Sequence, residues 1–368
     1  MPSTVETPFR TIASRARGWS RFLLAALALH VPLFAYPVLR LCAWLDLSWW
    51  LTAILFIPIF FSQILSRVYL RRNRSAWAGW LRKLADLWLG ISPVLVCVLL
   101  LFEAAVIVTG MDTALAAGWV IGISFAFAVF GVLNALTPSV KRVPLRSHKL
   151  DRPLRFVQLS DVHIGSRSLS FLANVINRVN QLEPDFVCIT GDFIDASGLT
   201  ALQLRSLKSV VGPIYFSIGN HEKYEDLAAI EENLTSLGVE VLRNRTVLAD
   251  GLQFIGIDDM DDALQVSREL SKMAVDGDRF SILLYHRPRG LEAAAAAGVD
   301  LMLSGHTHGG QIIPFNLVVN RVFKRSRGLY RLGTSVLYVS TGTGTWGPVM
   351  RLGTRSEITL FEVAPADA

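Results

Sequence analysis

The chain has little cysteine, little charge and, in its first part, almost no acid. Only three cysteines occur in 368 residues, with no CxxC pair. Cys42 and Cys97 lie in or beside apolar runs and Cys188 inside a predicted strand, so they read as small buried hydrophobes. Neither a disulfide framework nor a zinc ribbon is indicated. Charged residues make up 18% of the chain against 52% hydrophobic ones, and the apolar excess lies before residue 140, which points to a membrane. Residues 1–150 hold 15 Lys and Arg against 5 Asp and Glu, a net +10, whereas 151–368 hold 21 against 25, a net −4. The basic surplus flanks hydrophobic segments, where it acts as a topology signal, so no nucleic-acid partner is expected.

Four apolar stretches, 22–39, 47–66, 84–109 and 114–136, approach the roughly 20 residues that cross a bilayer's hydrocarbon core as a helix. The first contains Pro32 and Pro37 and follows Arg10, Arg15, Arg17 and Arg21, as a signal peptide would. It is expected to be retained, because three more stretches follow and no small-x-small cleavage site stands after Leu39. Arg67, Arg71, Arg72, Arg74, Arg82 and Lys83 separate the second and third stretches, and Lys141, Arg142, Arg146 and Lys149 follow the fourth. The opposite connections hold only Arg40. Both termini are therefore expected in the cytoplasm, with the protein multi-pass in the cell (inner) membrane. His30 and Glu103 fall inside predicted spans without a basic partner, and read as interhelical hydrogen-bonding groups rather than an ion pathway. The predicted organisation is a basic cytoplasmic N-terminus (1–21), a membrane region of four helices (22–136), a linker rich in Pro, Ser and basic residues (137–153), and an α/β domain (154–364).

In the last segment apolar runs alternate with helical periodicity. Strands are predicted at 155–160, 186–190, 214–218, 253–257, 280–285, 300–303, 335–340 and 355–362. Helices are predicted near 169–182, 199–209, 224–236, 262–273 and 289–297. Polar motifs stand where strands end, which is where open α/β sheets place their sites: Asp161-Val162-His163, Gly191-Asp192-Phe193-Ile194-Asp195, Gly219-Asn220-His221-Glu222, His286, and Gly305-His306-Thr307-His308-Gly309-Gly310-Gln311. Five of the seven histidines lie in these motifs. Imidazole, carboxylate and amide oxygen suit Zn, Mn or Fe, and the lack of thiolates argues against a closed structural zinc site.

In this order the motifs DxH, GDxxD, GNHE, a lone His and GHxH resemble those of the calcineurin-like metallophosphoesterase superfamily. The GHTHGGQ form behind an apolar region is similar to its membrane-associated YkuE-like and transmembrane subgroup. The resemblance implies an N-terminal all-α transmembrane region followed by an α/β domain layered α-β-β-α. It further implies two divalent metal ions (Mn, Fe or Zn), Asp161, His163 and His308 on one and Asn220, His286 and His306 on the other, with Asp192 bridging. His221 would act at the leaving group and Glu222 would orient it, while Asp195 serves either as a hydrogen-bond partner of a ligand or as a helix N-cap.

The activity so implied is hydrolysis of a phosphomonoester, phosphodiester or pyrophosphate bond, and membrane attachment makes a lipid-linked phosphorylated substrate the first to expect. Lys324, Arg325, Arg327, Arg331 and Arg351 form a second basic set, of which Arg325, Arg327 and Arg351 are candidates to grip substrate phosphate or an anionic headgroup. Residues 342–347 match G-x-G-x-x-G, but Pro348 and a strand follow where a dinucleotide site needs a helix. The alternative to an enzyme, a membrane sensor or transporter with a regulatory metal domain, would be marked by missing ligands, and none is missing.

Overall fold

The structure, a computed structural model, describes residues 28–366 except 71, 72 and 74. The described chain divides into two compact units that meet between Ala128 and Val129. The first unit is helical: α1 (Ala28–Trp44), α2 (Trp49–Tyr69), α3 (Ala76–Thr109) and most of α4 (Thr113–Leu136). Of these, α2, α3 and α4 are long and apolar enough to cross a membrane, whereas α1 is shorter. The basic N-terminus and the start of the first expected span lie outside the described residues. Arg40 donates to the Glu103 carboxylate, so the acid has the basic partner that sequence reading did not find, and their pairing needs no ion pathway.

The second unit begins in the last two turns of α4, and no linker follows them. Residues 139–147, expected to connect the two halves, instead form β1 (Ser139–Ser147). The end of α4 is fastened to this unit directly. The Arg167 guanidinium donates to Ala135 O at 3.1 Å and Ser356 Oγ to the same carbonyl at 3.3 Å. The backbone N–H of Arg351 donates to Gly131 O at 2.8 Å. The Ala135 carbonyl, one of the last four that an α-helix leaves unpaired, is thereby satisfied by side chains, and a loop close to the site described below bonds Gly131 one turn earlier.

Two six-stranded sheets pack face to face. The first runs β1, β12 (Glu357–Pro365), β2 (Leu154–Leu159), β3 (Phe186–Thr190), β4 (Ile214–Ser217), β5 (Val239–Val241). Only the β12–β2 pair is antiparallel. The second runs β10 (Gly328–Leu332), β11 (Ser335–Val339), β9 (Leu301–Ser304), β8 (Phe280–Tyr285), β7 (Leu252–Ile257), β6 (Arg245–Ala249). Its outer pairs are antiparallel and its inner ones parallel.

Strand side chains alternate between faces, and the core divides accordingly. Phe156, Phe186 and Phe361 turn inward and stack at 4.7 Å between centroids, with Tyr215, Phe254 and Leu303 in the same buried cluster. Val157 and Leu159 turn outward, under α5 (Leu169–Asn180). On the other sheet Ile255 and Leu283 pack with Val266 and Leu291, from α7 (Gln265–Leu270) and α8 (Leu291–Ala296). The layers are α-β-β-α, as expected. Elsewhere α6 (Leu227–Ser236) follows a short 3-10 turn, the helix expected at 199–209 is only a 3-10 turn at Arg205–Ser209, and an unexpected helix, α9 (Phe315–Val322), follows the GHTHGGQ motif.

Candidate metal centre

The parallel strands β2, β3, β4, β8 and β9 all deliver their motif at the C-terminal end, so five separate loops converge. Ten non-glycine residues have a left-handed backbone among the described residues, and five of them are Asp161 (φ 53°), His163 (φ 56°), Asp192 (φ 49°), His306 (φ 71°) and His308 (φ 49°). That conformation is unfavourable for side chains with a Cβ and persists only where surroundings impose it. Two glycines explain how the loops come so close. A Cβ on Gly305 would stand 1.9 Å from Ser160 Oγ and 2.2 Å from Asp161 Oδ2, and one on Gly219 would stand 2.2 Å from Asp192 Oδ1.

Three clusters result, one of them, His163, Asp195 and His221, beside the two described next. In the first, ligand atoms of Asp161, His163 and His308 lie within 4.8 Å of one another; in the second, those of Asp192, His286 and His306 do the same. His163 Nε2 faces His308 Nε2 at 3.2 Å, and His286 Nε2 faces His306 Nδ1 at 3.2 Å. His286 Nδ1 donates to Thr190 O at 2.8 Å, so in the neutral ring Nε2 is a bare lone pair, and it points at Asp192 Oδ2, 3.0 Å away. Ring nitrogens and a carboxylate oxygen this close in a buried site require a proton or a cation between them. Asn220 Oδ1 is also buried without a hydrogen bond, between two residues that touch Asp192: Gly219 by close approach and His221 through its N–H, 2.8 Å from Asp192 Oδ1. The donor set and its unpaired atoms fit divalent cations.

Electrostatics reports the same crowding. Burial would lower His286, but the Asp192 charge and hydrogen bond raise it to about 10. Burial and the neighbouring His286 and Arg287 charges push His306 down to about 3. Burial opposes ionisation of Asp192, yet the surrounding imidazoles, His286 foremost, hold it far below the usual carboxylate range. Burial also keeps His308 well below its ordinary value.

The remaining expected residues fall in several places. His221 is part-buried, its ring set edge-on to His163 at 4.8 Å and to the exposed Trp346 at 6.5 Å, with Nε2 4.0 Å from Asp192 Oδ2. Glu222 is not set to orient His221. Its buried carboxylate accepts the backbone N–H groups of Asp192 (3.0 Å), Phe193 (2.6 Å), Ile194 (3.0 Å) and Gly219 (2.8 Å). Asp195 caps no helix. It accepts from the Ser166 N–H and hydroxyl, and Oδ2 lies 3.3 Å from His163 Nδ1.

Arg351 cannot meet a substrate, because it is fully buried. Its guanidinium donates to the carbonyls of Thr341, Gly342, Gly344 and His308 and stands 3.2 Å from His308 Nδ1. Arg325 is paired with Glu292 at 2.6 Å. Only Arg327 of the three stays exposed without a carboxylate partner.

Sequence reasoning passed over several supporting residues. Ser160 Oγ donates to Asp161 Oδ2 at 2.6 Å. The glycine-rich 342–347 segment braces the same motif, with Thr343 N–H on Ser160 O and Gly344 N–H on Asp161 O. Gln311 holds the Trp346 loop from both sides, donating to Trp346 O and accepting from its N–H. The last residue of GHTHGGQ was a visible signal for this contact; the others carry none.

A two-layer sheet sandwich that brings imidazoles, carboxylates and an amide to the ends of parallel strands defines a hydrolytic metal-site fold. The calcineurin-like phosphoesterase family profile matches residues 154–310. An uncharacterized metallophosphoesterase, YkuE, of Bacillus subtilis (strain 168) is 33% identical over 275 residues, 68% of this chain and 94% of that one. The chain belongs to the calcineurin-like metallophosphoesterase family. An uncharacterized metallophosphoesterase of Helicobacter pylori (strain J99) is 36% identical over 241 residues, 62% of this chain and 64% of its own. A transmembrane protein with metallophosphoesterase domain from Danio rerio is 34% identical over 267 residues, 64% of this chain and 60% of its own. The chain thus spans under two thirds of the length of these last two relatives. With its apolar helices, it is a membrane protein.

Proposed function

We propose that this chain is a membrane-anchored phosphoesterase that works with two divalent cations. Asp161, His163 and His308 would hold one, Asn220, His286 and His306 the other, with Asp192 between them. The observation that supports this most is the pair of clusters in which ring nitrogens face each other at 3.2 Å, the second of them containing the buried Asp192. Bound there, the cations would acidify a water and neutralise charge building on phosphoryl oxygens. His221, beside the clusters with its ring edge-on to the exposed Trp346, would give a proton to the leaving oxygen. Burial lowers its pKa, so this proton is held only on the acid side of the ordinary histidine range and the step weakens as pH rises.

Asp195 is assigned to orienting His163 through Nδ1, which leaves Nε2 for the cation. Asp195→Ala should lower metal affinity or activity by about 10- to 100-fold while leaving the melting temperature of the metal-free protein nearly unchanged. Metal titration followed by calorimetry checks it, and unchanged affinity would return Asp195 to a loop-tying role.

The flanking arginines favour a cytoplasmic catalytic unit in the inner membrane, and attachment favours a lipid-linked substrate, whether monoester, diester or pyrophosphate. The deciding experiment uses the purified full chain, loaded separately with Mn, Fe and Zn. It is assayed on nitrophenyl mono- and diesters and on lipid-linked diesters and pyrophosphates in mixed micelles. Faster turnover of a lipid-linked ester is expected. Turnover of soluble esters alone would remove the lipid, and no hydrolysis by metal-loaded protein would remove the activity.

A further inference from the structure

Helix α9 buries no residue. Leu317, Val318 and Val322 are 67%, 58% and 63% exposed, and Ile313 ahead of them 38%. Positions 317, 318, 321 and 322 share one helix face, so the outward face consists of three aliphatic side chains and Arg321. The helix is nevertheless fixed in this orientation. A Cβ on Gly310 would come within 2.3 Å of Asn316 Cα, Ser326 Oγ donates to Asn320 Oδ1 at 2.7 Å, and the Phe315 N–H donates to Ile312 O at 2.9 Å. Aliphatic surface held out into water is unfavourable unless something covers it.

Charge indicates what covers it. Across this unit Arg142, Arg243, Arg268, Arg279 and Arg287 each pair with a carboxylate. Arg321, Arg327 and Arg355 have no carboxylate partner among the described residues, as is also true of Arg152, Arg178, Arg205 and Arg331, but these three stand on α9 or beside the end of α4. Arg327 and Arg355 line a cavity of about 500 Å³ together with Gly353, Thr354 and two residues of α4, Phe130 and Asn134. The unpaired arginines thus continue from α9 to the end of a helix long and apolar enough to cross a membrane.

We propose that α9 is a second, in-plane membrane contact, its aliphatic face in the acyl boundary of an anionic bilayer and Arg321, Arg327 and Arg355 on lipid phosphates. An apolar face rimmed by arginine is the composition that lies in a bilayer interface, and anionic headgroups attract such cations. The contact adds to anchoring and does not depend on the proposed catalysis. It does bear on access: Phe323, next after α9, sets its ring edge-on to His306 at 5.6 Å.

The test uses the full chain with Cys97→Ser, since Cys42 and Cys188 are buried. Leu317→Cys, Val318→Cys and Val322→Cys are made singly, labelled with an environment-sensitive fluorophore, and reconstituted in nanodiscs containing lipids spin-labelled on the acyl chain. Leu248→Cys, on β6 at the opposite sheet edge from β10 and 57% exposed, is the control. Blue-shifted, quenched emission is expected at the three α9 positions and not at 248, stronger with phosphatidylglycerol than with phosphatidylcholine alone. Replacing Arg321, Arg327 and Arg355 by Gln should remove the phosphatidylglycerol enhancement, and free inorganic phosphate should not. Unquenched emission at 317, 318 and 322 in both lipids would overturn the proposal. So would disulfide-linked dimers through Leu317→Cys in place of quenching, which would make the face a contact between copies of this chain.

Discussion

Asp192→Asn is expected to reduce kcat/KM by about four orders of magnitude, a loss of about 5 kcal/mol in transition-state stabilisation, and to strip metal from the purified protein. The substitution isolates charge. Asn matches Asp in size and is one of the few residues that tolerate a left-handed backbone, which position 192 requires (φ 49°). Oδ1 can still accept the His221 N–H. The other position becomes an amide N–H₂ facing His286 Nε2, where a carboxylate oxygen stood at 3.0 Å, and the only charged group proposed to touch both cations is gone. Metal analysis, steady-state kinetics and circular dichroism on one preparation check it. A folded variant with full metal content and activity within tenfold of the parent would sink the assignment of Asp192 as the bridge.

Glu222→Ala should destabilise the second unit by about 4 kcal/mol or more, an effect large for one substitution. The carboxylate takes four backbone N–H groups from two loops, and each buried donor left unpaired costs about 1–3 kcal/mol, less whatever entering water recovers. All four partners donate, so the site is built for the anion. Burial and the Asp192 charge nonetheless push the carboxyl up to about 7, which shows how much the amides have to offset. Glu222→Gln keeps one oxygen and turns the other into a donor, so it should lose roughly half as much. Denaturant melts of the metal-free full chain separate the two variants. Equal stability of Ala and parent would show that the four bonds do not hold the loops.

The candidate ligand set was legible because each motif is short, lies at a strand end and contains residue types with few other uses there. What those motifs lean on was not. Glu222 joins two loops through backbone amides, and no side-chain pattern marks backbone as a partner. Arg351 carries the same charge as the exposed arginines near it in sequence, and only the fold reveals that it is buried behind His308.

The strands divide in the same way. Every inner strand was expected, and the four that were not, β1, β5, β6 and β10, are the four sheet edges. Inner strands covered on both faces read as unbroken apolar runs. Edge strands are short or carry charge, as Lys141, Arg142 and Arg146 do in β1, a pattern that discourages edge-to-edge association and, in sequence, looks like a linker.

β12 lies between β1 and β2 in the first sheet, in register from Ser139 opposite Glu357 to Ser147 opposite Pro365. The ribosome makes it after every other described strand. Until then the strand leaving α4 has no partner in the sheet, and the segment that braces Asp161 lacks its bonds to Glu357. The last described strand made is therefore the one that joins the strand leaving α4 to the first sheet.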